Sequence, residues 1–285
     1  MPALIDPKVD IVFKKIFESS EAILKSFLNA LLPLPEDGMI ESLEYLTNEQ
    51  YPTLPDQKFS AVDVKCVDQQ KRVFIVEMQM CWGQAFFKRI SFNTAKAFVH
   101  QLKSGIGYDY SLLNPVYALV IFNNTFDQRP DVWYHPYRMC VPNDPEDTMS
   151  EMQITMIELP KFKPKTFEEK KLRVLWLRFL KEIQGVDFDK VPKEFHEDTG
   201  VNQALDVLNE MSHNEKELVA YYKSIERISI EKDVTKTSYE KGAMQKQIES
   251  AKRMLENNIP IEMIAIATGF AETEILVLRD DGNIS

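Results

Sequence analysis

Residues 59–67 and 72–80 are both β-rich and are separated only by the polar Asp68-Gln69-Gln70-Lys71, which forces the two stretches into a hairpin. Side chains on a strand alternate between faces. Ala61, Asp63, Lys65 and Val67 therefore share one face of the first strand, and Val73, Ile75, Glu77 and Gln79 share one face of the second. Opposed residues of an antiparallel pair have numbers with a constant sum. A three-residue loop at 69–71 pairs Asp68 with Arg72 and sets Asp63 opposite Glu77. A two-residue loop would oppose Asp63 to Val76 and mix polar with apolar faces, so patterning selects the first register. The spacing predicts two carboxylates about 5 Å apart, with Lys65 and Gln79 beside them.

Two anions so placed repel unless a cation sits between them. Mg2+, or another divalent metal, needs only one or two carboxylates plus water and substrate oxygens, and it can polarise a phosphoryl oxygen and acidify a bound water. The same pattern also fits an exposed strand face of solvated charges. Other chemistries are poorly supplied. Glycines number only nine, and Gly105 with Gly107 lacks the third glycine and the Lys-Ser/Thr of a phosphate cradle. Cys66, Cys81 and Cys140 form no CxxC pair, their odd count argues against a disulfide framework, and the four histidines show no HExxH spacing, so zinc is not expected. No GxSxG elbow occurs. Carboxylates, amides and cations remain.

The first helix is predicted to start at Asp6-Pro7, with Val9, Phe13, Ile16 and Phe17 on its apolar stripe, and a second to span 22–32. Strands are expected at 39–46, 116–122 and 153–159, and helices at 84–103 and 167–183. The order reads as an α/β core with a mixed sheet flanked by helices over residues 1–165. A helical region over 166–238 and a small helical module over 239–285 follow. The longest apolar run, 116–122, is far short of the roughly 18 residues that span a bilayer, so no membrane contact is expected. No secretory signal is visible, and a cytoplasmic location is the expectation.

Asp63 followed by Glu77-Met78-Gln79 across a strand-turn-strand resembles the PD-(D/E)XK nuclease superfamily in its E-x-Q form. The chain is most similar there to the Rpn family of recombination-promoting nucleases, also described as transposases. The resemblance extends through Asp10-Ile11-Val12-Phe13-Lys14, Phe27-Leu28-Asn29-Ala30-Leu31-Leu32, Arg89, Ile157-Glu158-Leu159-Pro160-Lys161-Phe162, Glu240-Lys241-Gly242 and Thr268-Gly269-Phe270. It implies that Asp63 and Glu77 ligate the metal, that Gln79 takes the place of the usual lysine, and that Asp10 is the acidic residue of the first helix. Arg89 and Lys14 are then candidates for the substrate phosphate. An amide positions water but brings no charge and cannot serve as a base; Lys65 is the candidate for the missing cation. Asp10 and Lys14 are equally readable as a helix-surface pair at i, i+4, and Arg89 as a solvated helix face. Phe92 stands where many members have Tyr. Pro55-Asp56 mimics the name-giving dipeptide but is placed in a loop.

The implied activity is metal-dependent hydrolysis of DNA phosphodiesters that promotes recombination in connection with mobile elements. The alternative is a non-catalytic interaction protein that keeps the fold. A net charge of −10 predicts weak non-specific DNA affinity, so any nucleic-acid contact is local and metal-assisted. Trp133, Tyr134, His135 and Tyr137 read either as a base-stacking cluster or as core and loop packing. At the C-terminus, Pro260, Gly269 and residues 272–278 suggest a helix-turn-helix. Its second helix is acidic (Glu272, Glu274, Asp280, Asp281), which points to packing or homo-oligomerisation rather than DNA reading.

Overall fold

The computed structural model describes residues 3–50, 59–80, 83, 85–102, 109–163 and 171–281. Pro55-Asp56, Cys81, Gly105 and Gly107 lie outside the described residues. The chain forms two units, Met1–Ile225 and Glu226–Ser285.

Helix α1 (Asp10–Ser19) begins later than the sequence predicts. Asp6 does not cap it. Its carboxylate accepts from the Lys8 N–H and holds the Lys8 ammonium at 2.7 Å, so Pro7 lies in a preceding turn. Helix α2 (Glu21–Leu31) follows, N-capped by the Ser20 hydroxyl, which accepts from the Ala22 N–H. The apolar stripes of α1 and α2 bring Phe13, Phe17 and Phe27 together with Trp176 of helix α4 (Lys171–Glu182). Helix α5 (Thr199–His213) closes this layer, its N-cap Asp198 bonded to Ser26 of α2. A Cβ on Gly200 would lie 2.5 Å from the Ser26 Cβ, so the α2–α5 approach requires glycine here. Gly200→Ala is expected to cost about 1–3 kcal/mol through overpacking. The midpoint of urea unfolding reads this, and an unshifted midpoint would refute the tight approach.

The strands are β1 (Leu43–Tyr45), β2 (Glu49–Gln50), β3 (Ser60–Ala61), β4 (Val64–Asp68), β5 (Val73–Gln79), β6 (Val116–Phe122), β7 (Tyr134–Val141) and β8 (Asp144–Glu158). Six form a mixed sheet in the order β1-β4-β5-β6-β8-β7, while β2 and β3 pair separately. The β5–β6 and β6–β8 pairs are parallel, so β5 must reach β6 by a crossover, supplied by helix α3 (Phe86–Val99). On the α3 face, Ile75, Ala118, Val120 and Met156 pack against Phe86, Ile90 and Ala97. On the other face Cys66, Phe74 and Val76 are buried on the α1 side, where the Tyr45 hydroxyl donates to the Phe17 carbonyl.

Three differences from the sequence reading have local causes. The strand expected at 39–46 shrinks to β1. The stretch at 59–67 breaks into β3 and β4, because the Val62 N–H turns to the Asn48 carbonyl instead of continuing the ladder to β5. Strand β7, unforeseen, pairs antiparallel with a β8 that begins well before residue 153. The β8 end is tied down by Glu158, which is fully buried and accepts from the Phe126 and Asp127 N–H groups, the Lys161 ammonium and His135.

In the second unit, helix α6 (Glu215–Glu256), which begins in the first, contributes Ala251 to a small core with Ile264 of α7 (Ile261–Thr268) and Ile275 of α8 (Glu272–Asp281). Gly269 sits at φ 77° at the end of α7, the left-handed cap anticipated from the sequence. No helix among the described residues is long and apolar enough to cross a membrane.

Candidate active site

The hairpin register is the one patterning selects: Val64 pairs with Val76, Lys65 with Ile75 and Cys66 with Phe74. Continued by one residue, it sets Asp63 opposite Glu77. The regular ladder stops at Val64, and the Asp63 side chain fills the gap. Its Oδ2 accepts the Met78 N–H at 2.7 Å, the next β5 donor left without a backbone partner when the chain diverges. Asn48 holds this bend. Its amide nitrogen donates to the Asp63 carbonyl at 2.9 Å and its Oδ1 accepts the Lys65 N–H at 3.1 Å.

Because Asp63 sits where the strand ends, groups from both faces of the sheet reach the site. From α1 comes Lys14, whose Nζ lies 3.5 Å from Asp63 Oδ1 and 3.0 Å from Asp10 Oδ1. From α3 come Arg89 and Asn93, four residues apart and so on one helix face. Arg89 donates to Glu77 Oε2 at 3.3 Å and Asn93 to Oε1 at 3.0 Å, while Gln79 Nε2 adds a bond to Oε2 at 3.2 Å. Glu77 is 3% exposed and the Asp63 side chain 14%, so the reading of this face as solvated charge is overturned.

Burial, with repulsion from Asp10 and Glu77, pushes the Asp63 carboxyl up to about 7, although the Met78 N–H and Lys14 oppose the shift. Burial also raises Glu77, against the pull of Arg89, Asn93 and Lys14. Burial works against the Lys14 ammonium, but Asp63 and Asp10 outweigh it and raise its pKa.

Two buried acids whose charge is disfavoured form a site that gains by accepting a cation. The Asn93 Oδ1, buried beside Glu77, has no hydrogen-bond partner, a further oxygen left over at the same place. Among the described residues no group of three His, Cys, Asp or Glu side chains gathers to hold a metal. Asp63 and Glu77, with the spare amide oxygen, offer an all-oxygen donor set of the kind hard divalent cations take, with the remaining positions left to water and substrate.

Protons compete with a metal for such a pair. Metal affinity is therefore expected to rise about tenfold per pH unit up to about 7 and flatten above it, as read by calorimetric Mn2+ titration between pH 5.5 and 8.5. The same shift makes the metal-free fold bind a proton that the unfolded chain releases near pH 4. Stability contributed by protonated Asp63 is present below that pH and lost as pH rises to about 7. A flat affinity profile would show that Asp63 is not a ligand.

Of the residues expected at the site, Asp63, Glu77, Gln79, Asp10, Lys14 and Arg89 are joined by this network. The Asp10–Lys14 pair is present at i, i+4, and it also extends to Asp63. Arg89 remains half exposed while bound to Glu77. Lys65 differs: its charged neighbours are Lys96 and His100. Asn48 and Asn93 were not anticipated; the four-residue spacing from Arg89 is the signal that marks Asn93. The aromatic cluster divides. Trp133 packs on Phe162, Tyr134 donates to the Leu31 carbonyl under Arg173, and His135 is buried on Glu158. Tyr137 stays exposed beside Phe87.

A mixed sheet between helical layers, with an acidic pair where its central hairpin opens, defines a nuclease-type α/β fold. Residues 7–254 match the family described as PD-(D/E)XK nuclease family transposase. The chain belongs to that family, and its function is nuclease- or transposase-related. No curated protein and no solved structure matches it.

Proposed function

We propose that the chain is a divalent-metal-dependent DNA endonuclease of the Rpn type, acting in the cytoplasm and promoting recombination linked to mobile elements. The observation that carries this reading is the two buried carboxyls where the hairpin opens, Asp63 accepting the Met78 N–H and Glu77 on β5, bounded by Lys14 on one side and Arg89 on the other. Asp63 and Glu77 would hold the metal, which supplies Lewis-acid polarisation of the phosphoryl oxygen and an acidified water. Arg89, half exposed and now resting on Glu77, has donors suited to the scissile phosphate. Gln79 orients water by hydrogen bonds. Lys14, steered by Asp10, brings to Asp63 the positive charge that an amide at position 79 does not provide.

The test is plasmid nicking by the purified full chain with Mg2+, with and without chelator. Nicking that disappears with chelator and in Asp63→Ala supports the reading. Intact plasmid with the native chain and Mg2+ would transfer it to a non-catalytic interaction protein.

A further inference from the structure

Helix α6 runs for 42 residues, and every residue from Ser229 to Gln247 is exposed, a length of about 28 Å at 1.5 Å per residue. Among the described residues no ion pair is made by the charged side chains of that stretch, and Thr235 bonds only back to the Glu231 carbonyl. Its composition does not favour a helix. Ile230, Val234, Thr235 and Thr237 are β-branched, Gly242 carries no side chain, and Lys232 and Lys236 repel at i, i+4. A helix of this kind, bare on all sides, is marginal in water and is held by packing along one face.

The spacing identifies the face. Ile230, Val234, Thr237, Lys241, Met244 and Ile248 are separated by four, three, four, three and four residues, the repeat of a coiled-coil seam. In a heptad lettered a to g, Val234, Lys241 and Ile248 fall at a, and Ile230, Thr237 and Met244 at d. Ile230, Val234 and Met244 are 57%, 59% and 55% exposed. The same spacing continues to Ala251 and Leu255, which already pack on α7 and α8. One seam is therefore covered at its C-terminal end and bare for about three heptads before it. Charge points to what covers the bare part. Its two basic residues, Arg227 and Lys241, both at a, each directly follow a glutamate at g, Glu226 and Glu240. In a parallel, in-register pair a g residue of one helix lies beside the a residue of the other, so each cation meets a carboxylate of a second copy.

We propose that α6 pairs with α6 of a second copy as a parallel, two-stranded coiled coil over residues 227–248, which makes the chain a homodimer. The inference is independent of the nuclease reading. β-branched Val234 and Ile248 at a suit two strands, and Lys241 among them fixes the register at a cost in affinity.

The test is the mass of the full chain in solution, by sedimentation at micromolar concentration. Twice the chain mass is expected, with helical circular dichroism that falls as dilution separates the copies. Val234→Asp sets a charge in the seam and is expected to give a monomer. Lys241→Ile removes the polar residue and is expected to lower the dissociation constant by about tenfold or more. Tyr239→Asp, at a position 79% exposed on the opposite side of the helix, is expected to change neither. Thr237→Cys is expected to oxidise to a disulfide joining the two copies at position 237, identified by peptide mass spectrometry, because a parallel in-register pair sets each d residue against itself. A monomeric native chain overturns the proposal with no variant needed. A dimer that survives Val234→Asp, is not tightened by Lys241→Ile, or yields no such disulfide overturns the assignment to this seam.

Discussion

Glu77→Gln is expected to lower metal-dependent cleavage by about a thousandfold or more while leaving the chain as stable as before, or more so. Loss of a ligand removes Lewis-acid stabilisation of several kcal/mol, and each 1.36 kcal/mol is tenfold in rate. The stability half follows from the sign of the shift. Burial raises the Glu77 pKa, so the ionised carboxylate is disfavoured in the fold relative to the unfolded chain. A neutral isostere relieves that penalty and still accepts from Arg89 or Asn93, both of which now donate to Glu77. Cleavage and the urea midpoint, measured on the same preparation, separate the two effects. Cleavage at the native rate would remove Glu77 from the site. Lost cleavage together with a collapsed midpoint would make its role structural.

The opposite behaviour is expected of Glu158, an equally buried carboxylate with a different set of neighbours. Glu158→Ala should cost about 3–5 kcal/mol, because it takes the counter-charge from a buried ammonium and the acceptor from a histidine and two backbone N–H groups at once. In the loop from Phe122 to Tyr134 the Phe126 and Asp127 N–H groups lose their acceptor on the sheet, and the Lys161 bonds to the Asp127 and Arg129 carbonyls remain without the carboxylate that neutralises that ammonium. Those hydrogen bonds hold the Glu158 carboxyl below the usual range despite burial. Its contribution is therefore present above about pH 4.5 and lost as pH falls further. Thermal unfolding at pH 7 followed by circular dichroism measures the loss. A shift of less than about 1 kcal/mol would show that the loop is held by other contacts.

Glu77 and Glu158 illustrate how far pattern reading extends. Both stand near the ends of apolar strands, and both are named in family-like motifs. Alternation and loop length were enough to set the β4–β5 register, because a one-residue slip would have turned every side chain of the hairpin to the wrong face; the ladder itself ends one residue short of Asp63. Nothing local marks Glu158 as the anchor of a loop, since its partners lie from three to thirty-two residues away. The helix carrying Arg89 was legible, and so was a candidate role for that guanidinium. That Arg89 rests on Glu77 depends on how α3 lies across the sheet. Lys65 shares a strand face with Asp63 by parity alone, yet α3 presents it with Lys96 and His100 instead.

The acidic pair, its register and the α/β order of the chain were therefore written in short-range pattern, where periodicity and loop geometry leave few alternatives. The break at Asp63, the Asn48 brace, the reach of Lys14 from the opposite layer and the separation of Lys65 from the acids arose only in the folded molecule. Each depends on groups distant in sequence meeting at a strand end, and burial and hydrogen-bond satisfaction decide such meetings only when the whole chain is packed.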